Sequence, residues 1–186
     1  MKKFCGALLI GFVVLGLKAQ EVVLPSDFRQ QNLTEYNSSL INPAYSLDRN
    51  NPSSVALWAR WQWQAYDADP TSLFLNYTTR LNEVSSAGAG FFQHNTGIFL
   101  NTGAALNYAY NIELTENMFL GVGLNLFAFQ QKLADERFFV PNPIQTSITN
   151  DFIVQMAPGI NLSVDGFNIG LVSENLFDYN FSKNER

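Results

Sequence analysis

The chain has 186 residues, with 11 Lys and Arg against 16 Asp and Glu and a formal net charge of −5. Its length suggests about one domain, and its acidity argues against a general nucleic-acid binder, which shows a basic face. Charged residues make up 15% and hydrophobic ones 47%, against an average of about 25% charged, so the chain is not a disordered polyanion. One Cys and one His leave little raw material for metal or nucleophile chemistry, which favours a scaffold over an enzyme.

Residues 1–19 read as a signal peptide. Lys2 and Lys3 form a positive start, and Phe4 to Leu17 is an apolar run, shorter than the roughly 20 residues a spanning helix needs. Ala19, before Gln20, is the expected cleavage point, although Leu17 is larger than the small residue preferred there. An N-terminal membrane anchor is the alternative. Cys5 lies far from the cleavage point, so it does not read as a lipoprotein acceptor. Cleavage removes Lys2, Lys3, Lys18 and the only Cys, leaving an exported chain without disulfide or thiolate. No later stretch reads as a spanning helix, so a membrane is met as a barrel or at its surface.

Residues 20–52 read as a polar periplasmic lead-in, with turns at Asn42-Pro43 and Asn51-Pro52. From residue 53 to 186 the pattern is that of a partial β-barrel. Val55, Leu57, Ala59, Trp61 and Trp63 alternate with Ser54, Arg60, Gln62 and Gln64, with Trp58 on the polar side. Leu73, Leu75 and Tyr77 alternate with Ser72, Asn76, Thr78 and Arg80, with Phe74 the exception. Ser85 to Phe92 is a small, Gly-rich strand. The stripes Thr102 to Tyr110, Met118 to Leu126 and Phe152 to Leu162 follow, and Phe167, Ile169 and Leu171 complete a count of seven.

The connections are expected to alternate. Ala65–Pro70, His94–Phe99 and Leu133–Asn150 read as longer loops, and Leu81–Glu83, Glu113–Asn117 and Asp165-Gly166 as short turns. That is the up-and-down pattern of an outer-membrane barrel. A soluble β-sandwich or lipocalin-like barrel would bury the apolar stripe instead. Mid-strand charge is nearly absent, Arg60 excepted, which favours the membrane reading. Leu57, Leu75, Leu106, Leu124 and Ile160 are then expected to face outward, and Gln62, Asn107, Asn125 and Asn161 inward. Trp61 and Trp63 are expected to mark the external aromatic girdle and Tyr108 and Tyr110 the periplasmic one.

No catalytic, cofactor or metal site emerges. His94 reads as a solvated loop residue rather than a base. Asp67 and Asp69 are too few for a cation site and read as a polar turn. Gly88-Ala89-Gly90 and Gly121-Val122-Gly123 do not continue as phosphate loops and read as close packing on the inner face. Glycosylation-like triplets such as Asn76-Tyr77-Thr78 and Asn161-Leu162-Ser163 fall within strands and read as chance in an Asn-rich chain.

Several segments taken in order resemble the PorP/SprF family of type IX secretion membrane proteins of Bacteroidota. Leu40-Ile41-Asn42-Pro43-Ala44-Tyr45 is similar to the family's opening N-P-A-Y-A-G motif, with Ser46 and Leu47 in place of Ala-Gly. Trp61 to Thr71, including Pro70, resembles an aromatic strand end followed by a small-Pro-Thr step. Gly88 to Phe92, Leu106 to Tyr110, Pro158 to Ile160 and Phe167 to Leu171 resemble later strands. The resemblance marks Asn42, Pro43, Ala44, Tyr45, Trp61, Pro70 and Thr71 as structural motif positions. It implies an all-β, antiparallel outer-membrane barrel, in contact with outer-membrane lipid and with secreted cargo or other secretion components. Its implied roles are surface attachment of secreted proteins and, in gliding species, motility. It carries no catalytic residues and no cofactor. The alternatives are an outer-membrane pore or hydrophobic-compound channel, and a soluble exported binding domain.

Bacterial single-chain barrels use an even number of strands, and the sequence shows seven. The chain is therefore expected not to close a barrel alone, its first strand near Val55 and its last near Leu171 lying at opposite edges. Either a truncated reading frame, the favoured explanation, or pairing with a second chain would account for this. Each unpaired backbone group in lipid costs several kcal/mol.

Overall fold

The computed structural model describes residues 38–47, 52–62, 71–96, 99–133, 150–174 and 176–182. The expected signal peptide, the lead-in before Ser38, Trp63, Asp67, Asp69 and Pro70 lie outside the described residues. A helical turn α1 (Ser38–Ile41) and a 3-10 turn η1 (Pro43–Leu47) precede the strands β1 (Ser53–Trp61), β2 (Thr71–Arg80), β3 (Ser85–Asn95), β4 (Phe99–Thr115), β5 (Met118–Leu133), β6 (Asn150–Val164), β7 (Phe167–Val172) and β8 (Phe177–Asn180).

Strands β1 to β7 each pair antiparallel with their chain neighbours in the order β1-β2-β3-β4-β5-β6-β7. The result is a curled half-barrel sheet of seven positions, as the alternation implied. Among the described residues, β1 and β7 are not paired with each other and occupy opposite edges. The eighth segment, β8, was not expected. It pairs with β6 at Met156↔Phe177, alongside β7, which pairs with β6 from Gly159↔Val172 onward. The break between β7 and β8 falls opposite Pro158. Ser173 donates its N–H to the Pro158 carbonyl at 3.0 Å, but proline has no N–H to return the bond, which is why prolines within sheets sit at bulges.

Cross-strand register sorts the side chains onto two faces. The convex face carries the rows Val55-Tyr77-Ala89-Leu106-Leu126-Met156 and Leu57-Leu75-Phe91-Ala104-Ala128-Val154. Leu57 is 68% exposed, and Leu75, Leu106 and Ile160 are also open to the surroundings, while Leu124 is half-buried. The leucine stripe thus faces outward and does not form an enclosed core. Among the described strands, the one charge in register with this face is Lys132, near the end of β5.

The concave face holds what is buried. One row crosses the sheet as Trp58-Phe74-Phe92-Gly103-Phe129-Ile153. Phe74, Phe92, Phe127, Phe129, Ile153, Ala105 and Ala157 form one apolar cluster, with Leu40 and Trp58 packed against it. Gly103 is required here. A Cβ on it would run into the Phe129 side chain and the Ala128 carbonyl, so its absence lets Phe129 lie across the strand to meet Phe92, ring centroids 5.9 Å apart. The inner face expected from Gln62, Asn107, Asn125 and Asn161 thus also carries an apolar layer. Phe74 and Trp58, exceptions in the alternation, belong to this inner aromatic layer, and β5 runs on past Leu126 to supply Phe127 and Phe129.

The short turns at Glu116-Asn117 and Asp165-Gly166 match expectation. Asp165 (φ 48°) and Gly166 (φ 82°) both take positive φ, the backbone of a two-residue turn that follows strand twist. The expected longer loop at His94–Phe99 is a correction. β3 continues to Asn95 and β4 begins at Phe99, so His94 is a strand residue. It is buried on the concave face with its Nδ1 2.6 Å from Ser72 Oγ.

Candidate functional site

The concave face is occupied toward its tight-turn end by the segment Ser38–Leu47. Local chemistry explains its shape. Pro43 opens η1 with φ preset and no N–H to satisfy. Asn42, just before it, accepts the Ala44 N–H on its side-chain Oδ1 at 3.0 Å, a capping bond that Asn makes readily. The Tyr45 N–H closes the turn on the Asn42 carbonyl at 2.9 Å.

The same Asn42 ties the segment to the sheet. Its Nδ2 donates to the Ile160 carbonyl at 3.0 Å and the Leu171 carbonyl at 3.4 Å, residues that are register partners on β6 and β7. Asn42 is 3% exposed, so both ends of its carboxamide are used in a place water hardly reaches. On the far side, Ser46 donates its Oγ–H to the Pro43 carbonyl at 3.0 Å and its Oγ lies 2.6 Å from Ser86 Oγ. Asn125 donates to the Ser39 carbonyl at 2.6 Å and itself accepts from Asn107 at 2.8 Å.

A floor of glycines makes the close approach possible. A Cβ on Gly123 would stand 2.5 Å from the Ala44 nitrogen and 2.6 Å from the Pro43 carbonyl carbon. A Cβ on Gly159 would overlap the Asn42 side chain and one on Gly170 the Tyr45 hydroxyl. Glycine here permits backbone to lie directly on backbone. The reading of Gly121-Val122-Gly123 as close packing on the inner face holds: Gly121 faces Asn111 of β4 as well as Ala44, and Gly123 lies against the Pro43–Ala44 backbone. That partnership joins positions far apart in the chain. The one hint in the sequence is that Gly121, Gly123 and Gly159 recur at every second position beside Asn125 and Asn161.

The motif positions divide. Asn42, Pro43, Ala44 and Tyr45 lie together on the concave face. Trp61 and Thr71 are register partners at the ends of β1 and β2, with Trp61 63% exposed, and they stand apart from that cluster. Gln62, just past β1, turns its carboxamide oxygen to the Arg60 guanidinium, on the side of the strand that Arg60 shares with the concave face.

The arrangement offers hydrogen bonding and shape rather than acid–base machinery. Ser72 and His94 lie in a polar row with Asn101, Gln131 and Asp151. Asp151 is three strand positions from His94, about 14 Å at the usual strand spacing, too far to orient the imidazole directly. Among the described residues, no group of three or more His, Cys, Asp or Glu is placed to hold a metal ion, and no helix is long and apolar enough to cross a membrane.

A curled antiparallel sheet with an apolar outward face and a segment of its own chain inside the curl defines a membrane-embedded β-sheet protein of the barrel kind. The family model for the type IX secretion system membrane protein PorP/SprF matches residues 25–186, and the chain belongs to that family. Comparison with curated proteins and with solved structures gave no match. The family is one of secretion-system membrane components and not a known enzyme family.

Proposed function

We propose that this protein works in the outer membrane as an assembly component of type IX secretion. Its convex face meets lipid. It engages a secreted cargo protein or another secretion component, helps hold secreted proteins at the cell surface and, in gliding cells, serves motility. Family membership supplies the secretion role. The observation that carries assembly over conduction is the filling of the concave face, where the Asn42–Tyr45 motif covers the glycine floor and the Phe92–Phe129 layer packs beyond it. A water-filled channel calls for an open polar lumen.

The outer-membrane placement rests on the strands. β4, β5 and β6 have 17, 16 and 15 residues, and a tilted membrane strand needs about 9–11. Among the described strands the convex face carries a single charge in register, Lys132 near the end of β5, and soluble monomers rarely expose a broad contiguous apolar face of this kind.

The test is affinity capture of tagged protein from carbonate-washed outer membranes, alongside single-channel recording on the purified protein in planar bilayers. Assembly predicts co-purification of a secretion component or a secreted surface protein, with a silent bilayer. Steady conductance with no partner recovered would overturn it in favour of a pore.

A further inference from the structure

Beside the docked motif, a cleft of about 100 Å³ remains open at the tight-turn end of the half-barrel. It is lined by Asn111, Phe119, Gly121, Asn161, Ser163 and Asn168, with Ala44 at its edge. In the same measure a water needs about 10–15 Å³, so the space takes several waters or one peptide unit. None of these lining residues is charged, so the cleft offers no full charge to pair with an ion. Three carboxamides and a hydroxyl instead present donors and acceptors side by side, which suits a ligand that also carries both.

Two observations narrow the ligand. First, the Oδ1 of Asn161 is buried and accepts no hydrogen bond, and Asn161 is 8% exposed. Its Nδ2 reaches Asn168 Oδ1 only at 3.4 Å, beyond the ordinary range for such bonds. A buried acceptor left unmade is costly, and this weakly held carboxamide can turn to take a donor entering the cleft. Second, the adjoining part of the same face already binds polypeptide through carboxamides. Asn125 on the sheet donates to the Ser39 carbonyl of the docked segment, and Asn42 of that segment donates to the Ile160 carbonyl of the sheet. The cleft continues that strip directly past Ala44.

We infer that this asparagine-lined cleft is a binding site for an uncharged, small-residue peptide segment of a partner protein, seated next to the docked Asn42–Tyr45 motif. One peptide unit enters the cleft. Its N–H meets Asn161, its carbonyl meets the amide of Asn111 or Asn168, and Phe119 closes one wall. The inference deepens the assembly reading and rests on it for the identity of the partner.

The test uses the full chain in nanodiscs and a fluorescent, end-capped tetrapeptide of Gly, Ser and Asn as probe, with chitotriose as the carbohydrate control. Two variants report. Asn161→Leu removes the carboxamide at similar volume. Gly121→Ala adds a methyl 3.2 Å from Asn111 Oδ1 and 3.4 Å from Ala44 Cβ, which the fold accommodates but which narrows the cleft. Saturable peptide binding, weakened tenfold or more by Asn161→Leu and at least threefold by Gly121→Ala, supports the site. Should Asn161→Leu fail to fold, Gly121→Ala decides alone. Peptide binding unchanged in Gly121→Ala, binding of chitotriose in place of the peptide, or no saturable peptide binding overturns it. Capture from membranes separates the two readings. A partner recovered equally by wild type and Gly121→Ala overturns the cleft and leaves the assembly role standing. No partner with wild type, yet Gly121-sensitive peptide binding, overturns the assembly role and upholds the cleft.

Discussion

Asn42 donates its side-chain amide to the main-chain carbonyl of Ile160, 118 positions further along the chain, at 3.0 Å. With its Oδ1 it also caps the turn that begins at Pro43. One side chain thus shapes the motif and attaches it to β6. The carboxamide is 3% exposed, so its own donors and acceptor are met by protein groups rather than by water.

Replacing it should show this double role. Asn42→Ala is expected to cost about 1–3 kcal/mol, the usual penalty when a buried hydrogen-bond partner is removed. The sheet should persist while Ser38–Leu47 comes away. Limited proteolysis should cut within residues 38–47 of the variant, with heat-modifiable migration of the folded sheet retained. Equal protection of this segment in wild type and variant would contradict the attachment.

The glycine floor predicts a contrast between neighbours. Gly123→Ala places a methyl against the Pro43–Ala44 backbone, which cannot swing away as a side-chain tip does. Overpacking of this kind costs about 1–3 kcal/mol. Gly121→Ala meets its neighbours at 3.2 Å or more and should leave the segment docked. Urea unfolding midpoints of the pair in detergent check this, and a larger loss in Gly121→Ala would reverse the assignment.

The inner aromatic layer should matter more than an outer ring. Phe129 is 1% exposed and Phe91 68%. Phe129→Ala is expected to destabilise by about 3–5 kcal/mol, the range for a buried Phe. Phe91→Ala, whose ring faces outward, should cost far less. Equilibrium unfolding in lipid vesicles gives both values.

A charge on the convex face should be resisted in lipid. Leu57→Arg or Leu106→Arg near mid-strand is expected to cost about 2–4 kcal/mol at the bilayer midplane. A concave substitution such as Thr78→Lys should not show the same dependence on bilayer thickness. Folding yields into bilayers of graded thickness distinguish the two faces.

Tryptophan quenching by lipids brominated at different depths checks the register. Trp61 closes β1 on the convex face, and Trp58 packs against the concave cluster. The signal lost in Trp61→Phe should be the one quenched near the headgroups. The signal lost in Trp58→Phe should be shielded from lipid. Deepest quenching of Trp61 at the bilayer centre would shift the strand.

Much of this protein was legible in its sequence because a strand writes its two faces at every second residue. The alternation through Val55–Trp61, Leu73–Tyr77 and Thr102–Tyr110 gave the strands, their order and the outward leucine stripe, and Asp165-Gly166 gave its hairpin. Strand ends were less legible. His94 is polar and close to a turn, yet burial against Ser72 keeps it in the sheet, and Phe127 and Phe129 continue β5 beyond the clean alternation. Phe74 and Trp58 broke the pattern on the polar side for a reason that register alone supplies: residues from six strands come level there and exclude water together. The docking of Asn42–Tyr45 was decided only by tertiary structure. The motif was visible as a string, but its seat is made of Gly123 on β5, Gly159 on β6 and Gly170 on β7. Residues more than 70 positions away become its floor only when the sheet curls, because hydrogen bonding between strands, and not proximity along the chain, sets who lies beneath it.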